Sequence, residues 1–141
     1  MTASDSASVL SEEKCWDVLT SVDVGRVAIR VADDIDIFPV NFLVRDGLVY
    51  FRTAPGTKII ELTSAPRVAF EADGTRGTRY WSVAIKGDAR RLDSDAEIVA
   101  SGILRLHSLD PAAKWNYVRI TPRSISGRHF EPVRRPEEEQ P

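Results

Sequence analysis

Asp46-Gly47 limits the fold more than any other feature of this chain. The dipeptide stands between two apolar runs, and Asp-Gly supplies the backbone of a tight hairpin, so Leu48–Thr53 pairs back on the run before it. That preceding run, Ile35–Val44, is apolar on both alternating sets of positions. It reads as a strand covered on both faces, with Pro39 marking a bulge or a point where backbone pairing stops. Upstream, Val27, Ile29 and Val31 alternate with Arg26, Ala28 and Arg30. A period of two gives a strand with one buried face, turned into its neighbour at Asp33-Asp34.

The remaining segments extend this antiparallel pattern. Ser11 is placed to cap a helix whose first turn holds Glu12 and Glu13, with Leu10 and Cys15 as a hydrophobic staple and Cys15, Val18, Leu19 and Val22 on one face. A short helix is predicted over Lys58–Thr63, after which Pro66 restarts the sheet at Val68–Glu71. The loop Asp73–Gly77 leads to a strand from Tyr80 to Leu92. Ser94-Asp95-Ala96-Glu97 is a capping box opening a helix to about Leu106, which Asp110-Pro111 ends. Trp115–Thr121 with Ile125–Phe130 forms a final strand pair or one long bent strand. The fold class is mainly β: about six antiparallel strands with three short helices, closed as a split barrel rather than a doubly wound sheet. Residues 10–131 make the domain, and residues 1–9 and 132–141, rich in small, polar, proline and charged residues, are expected to be unstructured.

Bulk numbers exclude several classes. A chain of 141 residues is one domain with room for a core. A net charge of -2 gives no basis for a general nucleic-acid surface. The lone Cys15 cannot form an internal disulfide and fits a buried structural role in a reducing compartment. The polar start lacks the apolar segment of a signal peptide, and no apolar run is long enough to cross a bilayer, so the expected location is cytoplasmic, with no membrane partner. Two histidines, His107 and His129, do not make a metal cluster, and no serine sits in a nucleophile-elbow setting.

Three segments carry candidate chemistry. Tyr50-Phe51-Arg52-Thr53 empties through Ala54-Pro55-Gly56 into Thr57, a helix N-cap, followed by Lys58. Backbone N–H groups, a hydroxyl, an ammonium and a helix dipole would converge there on an anion such as a phosphate. The spacing is neither that of a Walker loop nor that of a Rossmann turn. A plain strand-to-helix turn with a solvated lysine has the same letters. Pro39-Val40-Asn41-Phe42 would free backbone groups along an apolar surface, as the edge and face of a planar heterocycle require, or would be only a bulged core strand. In Arg79-Tyr80-Trp81-Ser82-Val83, two adjacent aromatics point to opposite faces, one inward and one toward a cleft or a dimer seam. Glu71, on an otherwise apolar strand, reads as half of a structural ion pair with an arginine across the sheet.

The ordered series Pro-Val-Asn-Phe, Asp-Gly, Tyr-Phe-Arg-Thr…Gly-Thr-Lys…Glu-Leu, Pro-Arg-Val-Ala-Phe-Glu-Ala-Asp, Trp-Ser-Val-Ala-Ile-Lys-Gly-Asp-Ala and Ile-Thr-Pro-Arg-Ser-Ile-Ser-Gly-Arg-His-Phe resembles a known family. Over about residues 10–130 the chain is similar to the pyridoxamine 5'-phosphate oxidase-like flavin-binding split barrels, in the small branch that includes nitroimidazole-resistance-type proteins. The resemblance implies a homodimer with an FMN site at each interface. Thr53, Thr57 and Lys58 would meet the phosphate, and Pro39, Val40, Asn41 and Phe42 would run along the isoalloxazine edge. Trp81 and Ser82 of the partner subunit would close the site. True oxidases of the family carry an Arg-Lys pair where this chain has Thr57-Lys58, so a second cation falls to another arginine, Arg52 or Arg79. The oxidases' Arg-x-His motif is matched in letters by Arg105-Leu106-His107, but at a helix end rather than in a late strand, which argues against vitamin B6 as substrate. The implied activity is a flavin-dependent oxidoreductase moving hydride between FMN and a small organic substrate. A deazaflavin coenzyme, its acidic tail met by Arg26, Arg30 and Lys86, is the alternative within the same class. A carrier or sensor of flavin or haem without turnover is the alternative outside it.

Overall fold

The computed structural model of the chain describes residues 7–54, 66–106 and 115–131. Strand β1 (Ala7–Val9) leads into helix α1 (Glu12–Leu19) and then into β2 (Val24–Val31), β3 (Asp34–Arg45), β4 (Leu48–Thr53), β5 (Arg67–Arg76) and β6 (Arg79–Arg91). Helix α2 (Asp95–Ser101), a 3-10 turn (Ile103–Arg105) and β7 (Asn116–Phe130) complete the order. Every pairing is antiparallel, in the order β1-β7-β4-β3-β2-β5-β6, and β6 pairs back onto β7. Six strands therefore form a closed ring, and the mainly β barrel read from the sequence is present. Short β1, in a stretch assigned to the unstructured N-terminus, adds a seventh strand by pairing Ala7–Val9 with Arg128–Phe130.

Alternation fills the barrel. Val27 and Ile29 of β2, Val40 and Phe42 of β3, and Val49 and Phe51 of β4 are buried. So are Val68 and Phe70 of β5, Val83 and Ile85 of β6, and Val118 and Ile120 of β7. Phe42 and Phe70 meet edge to face with ring centroids 4.9 Å apart, the arrangement their quadrupoles favour. Helix α1 adds Cys15, Val18 and Leu19 to the same core. Its cap is as the sequence indicates, with the Ser11 hydroxyl accepting from Lys14 N–H at 3.1 Å. At the β3–β4 turn, Asp46 and Gly47 have φ of 53° and 73°, both positive as a type I′ hairpin requires.

Pro39 makes no bulge. The register of β2 on β3 runs unbroken from Val24 opposite Asn41, through Arg26 opposite Pro39, to Val31 opposite Asp34. Pairing of β3 with β4 starts only at Asn41 opposite Arg52, so the first half of β3 has β2 as its one ladder neighbour among the described residues. Phe42 N–H donates to Asp23 C=O at 3.0 Å, on the β2 side. By alternation Pro39 turns its nitrogen the other way, past the end of β4, where a missing donor costs no ladder bond. The reading of a stop in pairing holds on that side alone. Nor is β3 covered on both faces throughout: Ile35 is 63% and Ile37 72% exposed.

Other boundaries differ for local reasons. The stretch read as a loop over Asp73–Gly77 is strand as far as Arg76, because Asp73–Arg76 keep the β5–β6 ladder to its end, opposite Arg79–Ser82. The helix begun at Ser94 stops at Ser101, where Gly102 turns left-handed (φ 80°) and a 3-10 turn follows. The last segment is one strand of 15 residues. The helix predicted over Lys58–Thr63 lies outside the described residues. No helix among them is long and apolar enough to cross a membrane.

Candidate functional site

The barrel mouth at the end of β4 brings together the larger share of the candidate residues. Along β4, Val49, Phe51 and Thr53 point inward, so a hydroxyl closes a series of core side chains. Thr53 is 4% exposed, and its Oγ1 has no hydrogen-bond partner among the described residues. A buried hydroxyl left unmet costs roughly 1–3 kcal/mol. Such a group is a reason to look for a ligand. Beside it, Arg52 points outward yet is only 5% exposed. Its guanidinium lies 4.7 Å from the centre of the Trp115 ring, and Nη1 donates to Leu106 C=O at 3.1 Å. Stacking and bonding hold the cation in one place, which lowers the ordering cost of meeting an anion. Asn41 and Tyr117 stand opposite Arg52 on the flanking strands. Asn41 Nδ2 donates to Asp23 C=O at 3.4 Å.

Other expected members divide around this mouth. Pro39 is exposed beside it. Val40 and Phe42 have their side chains in the core, at 4% and 1% exposure, and can offer only backbone to a ligand. Thr57 and Lys58 lie outside the described residues. Of the two arginines considered for the second positive charge, Arg52 is at the mouth. Arg79 is at the far end of the barrel, paired with Glu131 at 3.4 Å and next to His129 Nδ1 at 3.2 Å. Trp81 and Ser82 separate as adjacent strand residues must. Ser82 is half-buried on the outer face. Trp81 is 2% exposed and lines a cavity under α1, with Nε1 unpartnered among the described residues.

On the outer face, Arg26 stands between Pro39 on β3 and Glu71 on β5. Its Nη1 reaches Glu71 Oε2 at 3.3 Å and Asp73 Oδ2 at 3.0 Å. The expected cross-sheet pair is present. The third member went unseen in the sequence because Asp73 was read as loop. Burial pushes the Glu71 carboxyl up to about 7, a hydrogen bond to Asp73 and repulsion from its charge add to the rise, and Arg26 opposes both. Farther along this face, Ile35, Ile37 and Val24 are exposed apolar side chains with Ala28 among them. Cys15 is buried, and burial raises its thiol, so it is placed as a core residue. No cluster of three or more potential metal ligands occurs among the described residues.

Comparison with known proteins converges on one family. The family model for pyridoxamine 5'-phosphate oxidase matches residues 11–129. The structure of the FAD binding protein from Mycobacterium smegmatis is 37% identical, with a TM-score of 0.77 over 89% of this chain and 100% of that one. A Corynebacterium glutamicum protein of known structure is 40% identical, with a TM-score of 0.78 over 89% of this chain and 99% of that one. A Mycobacterium tuberculosis protein is 36% identical over 125 residues, 84% of this chain and 82% of its own length.

Proposed function

The chain belongs to the pyridoxamine 5'-phosphate oxidase family, and from that premise we propose that it is a flavin-binding oxidoreductase whose cofactor phosphate is held at the mouth beside Thr53. The observation that carries this reading is the pair Arg52 and Thr53: a cation fixed on Trp115 next to a buried hydroxyl with no partner among the described residues. These residues fit a phosphate, which takes a charge-assisted bond from each kind of group. Lys58 and Thr57 follow closely in sequence and would complete the cradle. Pro39 and Asn41 would border the ring system, with Val40 and Phe42 contributing backbone and the floor beneath it. When bound, a flavin supplies hydride exchange with a small organic substrate. The chain's residues bind it, orient it and keep water from its ring.

FMN is the proposed cofactor. FAD is the second reading, favoured by the 37% identical FAD binding protein. The deazaflavin alternative rests on Arg26, Arg30 and Lys86. Of these, Arg26 is committed to Glu71 and Asp73. The outer face carrying Ile35, Ile37 and Val24 is proposed as the homodimer seam, since exposed apolar side chains in a row on one sheet face are what an interface covers. Ser82, the outward member of its pair, is then the residue placed to reach a partner's cofactor.

Purified protein, stripped of cofactor, is titrated with FMN, FAD and the deazaflavin, and the absorbance that follows it through gel filtration is recorded. Retention of FMN with a dimer's elution volume supports the reading, and stronger retention of FAD or the deazaflavin reassigns the cofactor. Retention of none removes the flavin assignment altogether.

A further inference from the structure

We propose that the cavity at the β5–β6 hairpin is a second ligand site, for a small organic anion with an apolar body. The cavity measures about 510 Å³, ample for a benzoate-sized molecule. Its apolar wall is made by Leu10, Val18 and the indole of Trp81, with Val9, 80% exposed, at its rim. Its polar wall carries three cations, Lys14 from α1 and Arg76 and Arg79 from the hairpin, beside the imidazole of His129 at the end of β7.

Two carboxylates answer these three cations. Asp17 bonds Arg76 at 2.8 Å and Lys14 at 3.5 Å, and Glu131 bonds Arg79 at 3.4 Å. All five side chains are about half exposed, so these pairs are weak and exchange readily for a better-placed carboxylate. One positive charge is left over at an apolar wall.

The indole is held in place. A Cβ on Gly74, opposite Trp81 in the ladder, would come within 2.9 Å of the ring, so only glycine lets the indole lie over β5. Trp81 Nε1–H is buried and unpartnered among the described residues, so its signal reports on the packing of that wall. Within one subunit this site lies at the other end of β7 from the flavin mouth. Asn116, beside Thr53, and His129 are 129 − 116 = 13 residues apart on β7. At about 3.3 Å per residue that is roughly 40 Å along the strand.

Sodium benzoate and neutral benzamide are titrated into the ¹⁵N-labelled full-length protein, with and without saturating FMN. The Trp81 indole N–H signal is identified by its loss in Trp81→Phe. The site predicts a saturable benzoate shift of that signal, unaffected by FMN. Benzamide and the exposed-residue variant Arg79→Gln should each bind about tenfold more weakly, as expected for loss of a charge-assisted bond. The proposal is overturned by an unsaturable or absent shift, by equal binding of benzamide, by an Arg79→Gln variant that binds benzoate as the parent does, or by displacement of benzoate with FMN.

Discussion

Thr53 and Arg52 show how a single position can be read in part. Their letters and their place at the end of a strand were visible in the sequence, and so was the idea of an anion there. The burial was not: an outward arginine reads as solvated until Trp115, sixty-three residues on (115 − 52), comes to lie beneath it. Arg52→Ala should weaken flavin binding by about 1.5–3 kcal/mol, the range for a lost charge-assisted bond, read as the shift in a fluorescence titration. Thr53→Val separates a site from a packing accident. A valine of nearly the same shape relieves an unmet hydroxyl, so the apoprotein's melting temperature should hold or rise while flavin affinity falls. Unchanged affinity in that variant would assign Thr53 to the core alone. Trp81 makes the complementary case. Alternation tells that it and Ser82 face opposite ways, yet not which way is inward, because that depends on α1 packing over β6.

Elements were more legible than their ends. Asp46-Gly47, the Ser11 cap and the alternation in β2 each act through neighbours a few residues away, so local letters suffice. Pro39 was ambiguous because its consequence depends on where β4 stops, which the strand's own residues do not encode. The Arg26–Glu71–Asp73 cluster likewise needs three strands in register. It gives a pH dependence. Glu71 has a folded pKa of about 7, above its ordinary 4.5, so the folded state binds that proton more tightly. Its contribution to stability is therefore complete below about pH 4.5 and is lost as pH rises through 7. Asp17 and Asp88 work in the opposite sense. Hydrogen bonds from Arg76 and Arg123, respectively, hold their carboxyls low, and their support fades on acidification. Glu71→Gln should flatten the decline of melting temperature between pH 5 and 7.5. A parallel pH profile in parent and variant would mean that the carboxyl is ordinary.

As a whole, the molecule hides its sheet edges by closing the ring but leaves part of one face unsheltered. Ile37, 72% exposed, lies on β3 opposite Ala28 and two residues from exposed Ile35, with Val24 farther along the same face. Ile37→Asp should convert a dimer to monomer in sedimentation velocity while leaving the far-UV spectrum unchanged, since a surface change of this kind costs the isolated barrel little. A dimer that survives it places the seam elsewhere. The closed topology was foreseeable from short turns and alternating strands, whereas the strand that performs the closure was not. β7 pairs with β4 through residues 116–120 and with β6 through residues 118–130. Among the described strands it is also the last in chain order. Until β7 is made, the nascent chain holds a five-stranded sheet with β4 and β6 as raw edges, each ready to pair with another chain. A premature stop upstream of Asn116 therefore yields an aggregating sheet rather than a shortened barrel, and the chain needs shelter until β7 has been made.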